Sequence, residues 1–85
     1  MDLHTKISEI FPILELVLHQ NDLNDFKNTD KDNLYLYHFG LGLYIRNNLL
    51  SENNNLFLIF VENNIINKDD MSSYIIESFH KYLNK

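Results

Sequence analysis

Met71, Ile75, Phe79 and Leu83 recur every four residues in MSSYIIESFHKYL, with Tyr74, Ser78 and Tyr82 beside them. That stripe is the signature of an amphipathic helix, and it has to be covered by other apolar faces. Asp69 or Asp70 is expected to cap its start, and Lys81 stands near its end, as the helix dipole favours. The rest of the chain must supply the cover.

The segment ISEIFPILELVLHQ places Ile7, Ile10, Phe11, Leu14 and Leu18 at helical spacing, with Val17 widening the stripe. Pro12 interrupts it, because proline lacks an N–H and clashes with the carbonyl four residues back. A helix restarting with Pro12 at its first position, or a kinked helix, would each accommodate the ring, and the restart is preferred. That makes Ile13 to Gln20 the first secure helix and leaves Met1 to Lys6 frayed. Leu23 to Asn28 reads as a short helix capped by Asp22. Thr29 to Asp32 reads as a polar hinge in which Thr29 or Asp30 caps the next element.

Leu34 to Leu50, LYLYHFGLGLYIRNNLL, holds both glycines and the only arginine. Leu34, His38, Leu41 and Ile45 share one helical face, although Gly40 and Gly42 would each cost about 1 kcal/mol in a helix interior. A period-two alternation leaves strand–turn–strand as the alternative. A single helix is preferred because the apolar register continues through Tyr44, Ile45 and Leu49, and the glycines then allow a close helix approach. SENNN reads as a loop with Ser51 as a cap. LFLIFV suits a buried strand or helix, but a lone strand is unstable, so a short buried helix of roughly Asn54 to Asn63 is expected. Asn64 to Asn67 should turn with Ile65 and Ile66 inward. The expected architecture is all-α, a compact bundle of four to five short helices in one domain spanning residues 1–85.

Composition narrows function mainly by exclusion. Seven Lys and Arg oppose twelve Asp and Glu, for a net charge of −5, and the single Arg with scattered lysines makes no basic stripe for phosphates. Direct nucleic-acid binding is therefore disfavoured. Absence of cysteine excludes disulfides and thiolate metal sites. No apolar run approaches the ~18 residues of a membrane span, and no secretory leader pattern is present, so a cytoplasmic protein without membrane contact is expected. Its acidity suits solubility and also a basic partner.

His38-Phe39-Gly40-Leu41-Gly42 followed by Ile45-Arg46-Asn47-Asn48, then Asp69-Asp70-Met71-Ser72, then Ser78-Phe79-His80 with Leu83-Asn84, resemble a small bacterial domain of unknown function. Its members carry HFGLG-x-x-IRNN, DDMS and SFH-x-x-LN segments in that order, so the resemblance covers roughly Leu34 to Asn84. It departs at Leu49 to Asn55, where such domains often hold tryptophan or glycine. It departs again at Asn67-Lys68, which replaces an aromatic-proline approach to the DDMS segment. The resemblance implies an α-helical fold and a bacterial source, and no reaction.

The four histidines show no ligand spacing for a metal, and no cofactor is expected. Arg46 should seek a carboxylate, with a bidentate tie to Asp69 or Asp70 preferred. Asn47 and Asn48 should satisfy backbone groups near their helix end. His38 is expected to hydrogen-bond within the helix interface and His80 to sit at the surface. Tyr35 and Phe39 fall off the apolar face and should stay partly exposed, and Asp22, Asp25, Asp30 and Asp32 cluster around the second helix. These six are the candidate partner-binding residues. The preferred function is non-catalytic protein binding, most concretely an immunity protein that occludes a cationic, nuclease-type toxin domain. A small RNA-acting enzyme using His38, Arg46 and His80 is the alternative from another class, and a self-associating homodimer is a third.

Overall fold

In the computed structural model, which describes residues 2–52 and 54–85, the final helix is the axis on which the others pack. This helix, α6 (Lys68–Leu83), buries Met71, Ser72, Ile75, Ile76 and Phe79. Its cap is Asn67, whose side chain accepts the Asp69 N–H at 2.7 Å. Asp69 and Asp70 lie in the first turn instead of capping it, where their charge still meets the positive end of the helix dipole.

The N-terminal segment is helical from Leu3 instead of frayed, and Met1 lies outside the described residues. Asp2 caps α1 (Leu3–Ser8) by accepting from the Thr5 N–H at 3.3 Å, and Leu3 and Ile7 are buried. A helix does restart at the proline: α2 spans Phe11–Val17 with Pro12 in its first turn, where no N–H is needed. It stops short of Gln20 because Leu18 turns to an extended conformation, ψ 135°. The next helix, α3 (Gln20–Asn28), begins ahead of Asp22, with His19 in the cap position and Asp22 inside the first turn.

The expected single helix over Leu34 to Leu50 is broken in two. A 3-10 helix runs Lys31–Tyr37, and α4 (Leu41–Asn48) follows after a turn through Gly40, whose φ −91° and ψ −89° are not helical. A 3-10 helix repeats every three residues, so it needs apolar contact only at Leu34, which is buried, and Tyr37, which is half-buried. Asp30 occupies its cap position without a side-chain bond, while Thr29 closes α3 through Oγ1 donating to the Asp25 carbonyl at 2.7 Å.

The last apolar run forms α5 (Asn55–Glu62), close to the expected span, capped by Asn54 accepting from the Leu56 N–H at 2.7 Å. Ser51 does not hold that cap position, and Asn53 of the expected loop lies outside the described residues. The helix is amphipathic, not buried all round: Leu56, Ile59 and Phe60 are inside, while Leu58 and Val61 are exposed. It closes on Asn64 at φ 66°, with Ile65 N–H bonding the Phe60 carbonyl at 3.0 Å and Asn64 N–H bonding that of Val61 at 3.0 Å. This left-handed stop turns Ile65 in and throws Ile66 out to solvent, against the expectation that both point inward.

The described residues thus form six α-helices and a 3-10 helix, more than the four or five expected, and no strand. Pro12 and Gly40 each divide what periodicity alone would join. Every helix contributes to one buried cluster. Its aromatic centre sets Phe79 against Phe26 at 5.5 Å and Phe11 at 5.6 Å between ring centroids. The Cα radius of gyration, 12.2 Å, matches the ~12 Å of a compact chain of this length. No described helix is long and apolar enough to cross a membrane.

Candidate functional site

Arg46 is the polar hub of the molecule. From the last turn of α4, its Nη2 donates to the His38 carbonyl at 3.1 Å and its Nη1 to Ser72 Oγ at 3.0 Å. The Ser72 hydroxyl in turn donates to the Asp69 carbonyl at 3.0 Å. Arg46 Nε reaches Asp69 Oδ1 at 3.5 Å, a single contact and not a bidentate fork. Asp70, the other expected partner, is exposed one residue further along the first turn.

The two kinds of contact differ in worth. The Asp69 carboxylate is 64% exposed, so water screens it and the pair is worth about 0–1 kcal/mol. The bonds to the His38 carbonyl and to the fully buried Ser72 sit away from water, where losing them costs more. Arg46 therefore acts chiefly as a brace joining α4, the turn at His38 and the start of α6.

His38 stands beside this brace, its Nδ1 3.5 Å from Arg46 Nη1 and its Nε2 3.9 Å from Asp69 Oδ1. Arginine can only donate, so bonding at Nδ1 requires the imidazole proton on Nε2, the nitrogen facing Asp69. His80, expected at the surface, is half-buried. Its Nε2 lies 2.8 Å from the Thr29 carbonyl, and its ring meets Phe26 edge-on at 5.5 Å. Asn84 adds a bond from Nδ2 to the Lys27 carbonyl at 2.9 Å. Together these side chains close the C-terminal end of α3 from outside that helix.

His38 and His80 lie on adjoining grooves between the 3-10 helix and α6 that share Lys31, Asp32, Leu34 and Glu77. One of about 230 Å³ is lined by His38 and the other, of about 460 Å³, by His80, with Leu34 bordering both. Among the described residues, no three His, Asp or Glu side chains gather as metal ligands.

The six candidate partner-binding residues are all exposed. Asp22 and Asp25 lie on α3, Asp30 on the connection, and Asp32 and Tyr35 on the 3-10 helix. Tyr35 is 70% and Phe39 81% exposed, and Leu36 at 65% and Leu43 at 47% extend the apolar surface. Phe39 stands edge-on to His38 at 4.9 Å, next to the arginine brace.

A family model describing a domain of unknown function, DUF6794, matches residues 5–83. The chain belongs to the DUF6794 family. No curated protein and no solved structure matches it. The matched span of this DUF6794 domain includes the brace, the exposed aromatic segment and His80 of the α3 closure, and ends one residue before Asn84.

Four participants in this site carry little signal in sequence. Ser72 is the best marked, being a polar residue on the buried face of α6 one turn before Ile76. Thr29 offers only its carbonyl, and Leu36 and Leu43 look like ordinary core residues.

The two glycines, expected alike to allow a close helix approach, differ: Gly42 does so and Gly40 does not. A Cβ on Gly42 would lie 2.9 Å from Arg46 Nη1, 3.3 Å from the Tyr37 carbonyl oxygen and 3.5 Å from Ile76 Cδ1. A Cβ on Gly40 would meet nothing within 4 Å. Gly42→Ala should therefore destabilise the domain by about 1 kcal/mol despite alanine's better helix propensity, while Gly40→Ala should change stability by less than about 0.5 kcal/mol. Urea denaturation of the two variants checks the contrast.

Proposed function

We propose that this domain is a non-catalytic protein-binding module, in its most concrete form an immunity protein that covers a cationic, nuclease-type toxin domain. The carrying observation is the exposure of Tyr35, Leu36 and Phe39 on one short segment, preceded by exposed Asp22, Asp25, Asp30 and Asp32. Aromatic residues are the usual energetic centres of interfaces, and surrounding charge raises the association rate with a partner of opposite sign. Occlusion needs no reactive group, which agrees with His80 being bound to a backbone carbonyl and Arg46 to structural acceptors.

Co-expression with the neighbouring gene product tests this reading. A stable complex should form, and Tyr35→Ser with Phe39→Ser should weaken it at least tenfold while leaving the melting temperature unchanged, since both side chains are exposed. Its association rate should fall as salt rises. No complex at micromolar concentration with a basic neighbour would overturn the proposal.

A further inference from the structure

A cleft of about 560 Å³ opens between α1, the start of α2 and α6, whose Glu77 and Lys81 also border the groove beside His80. That volume lies within the range of small-molecule sites, ~300–1,000 Å³. Tyr74 and Tyr82, both exposed, supply aromatic surface over the buried Phe11, and Lys81, Lys85 and His4 supply donors. In a chain of net charge −5 with seven basic residues, this cleft gathers two lysines at one end, away from the Glu15 carboxylate beside Tyr82. Glu77, the one carboxylate among the described lining residues, stands one turn before Lys81 and confines an incoming anion to the Lys81–Lys85 end.

The aromatic wall is built before any ligand arrives. Tyr82 lies against Phe11 at 4.7 Å between ring centroids, and Phe11 is buried against Phe79. The nearby Glu15 carboxylate pushes the Tyr82 phenol's pKa above its usual value of 10.0. Tyr74 is held edge-on to Phe60 at 5.7 Å. A preorganised wall loses little freedom on binding.

We propose that this cleft binds a small planar aromatic anion, its ring against Tyr74 and Tyr82 and its acid group held by Lys81, Lys85 and His4. The site is independent of the protein-binding surface proposed above. Titration of the full chain with phenyl phosphate and with benzoate, followed by backbone amide NMR, tests it. Saturable shifts are expected on α1, Phe11 and Tyr74 to Lys85, with dissociation constants on the order of a millimolar or tighter. Tighter binding of phenyl phosphate assigns the site to phosphate esters, and tighter binding of benzoate to carboxylates. Lys81→Gln with Lys85→Gln, both on exposed side chains, should weaken binding at least fivefold with the helical circular dichroism retained. The proposal is overturned by any of three results: no saturable shift up to about 10 mM, benzyl alcohol binding as tightly as the anions, or undiminished affinity in the folded lysine variant.

Discussion

Phe79→Ala should remove about 3–5 kcal/mol of stability, the cost of emptying a fully buried aromatic site. Phe79 has no exposed surface and touches the rings of Phe11, Phe26 and Tyr82, with centroids 5.6, 5.5 and 6.3 Å away. Those contacts join α2, α3 and α6, so helices from three parts of the sequence would lose a common neighbour. Native domains hold only about 5–15 kcal/mol in total, so the loss would lower the melting temperature by more than ~10 °C. Circular dichroism melts and urea midpoints measure it, and a loss below about 1 kcal/mol would show that the ring cluster is not the organising centre.

Arg46→Met should cost about 2–3 kcal/mol, most of it from donors lost inside the fold. The His38 carbonyl would lose the Nη2 bond, and Ser72 would lose one of two partners while keeping its bond to the Asp69 carbonyl. Asp69→Asn separates the brace from the ion pair. If the exposed pair with Asp69 were the main term, the two substitutions would cost the same. The brace reading expects Asp69→Asn to cost under about 1 kcal/mol. Arg46→Lys should resemble Arg46→Met more than wild type, because an ammonium cannot present the planar fork that reaches both acceptors.

Features of the fold were legible in the chain where their cause was local. The apolar stripe of α6, the restart at Pro12 and the span of α5 come from periodicity and proline geometry within one segment. Cap positions were harder, since Asn67, Asp69 and Asp70 all have suitable chemistry and only backbone conformation selects Asn67. The split at Gly40 was hidden because Leu34 and Tyr37 satisfy both a three-residue and a helical repeat. The inward position of His80 was not legible at all. It depends on where Thr29, 51 residues earlier, ends up once α3 has packed. The exposure of Leu36 and Ile66 likewise arises from a 3-10 pitch and a left-handed asparagine, not from hydropathy.

The closure of α3 by His80 and Asn84 has a consequence for recognition. Helix ends ordinarily fray because their last carbonyls face water, but here a neighbouring helix holds the carbonyls of Thr29 and Lys27. Asp25 and Asp30, on either side of that closure, therefore stand on backbone whose neighbouring carbonyls are tied to α6 and to Asn84. Any cationic surface meeting them encounters a fixed charge pattern, so selectivity among such surfaces would come from spacing as well as sign.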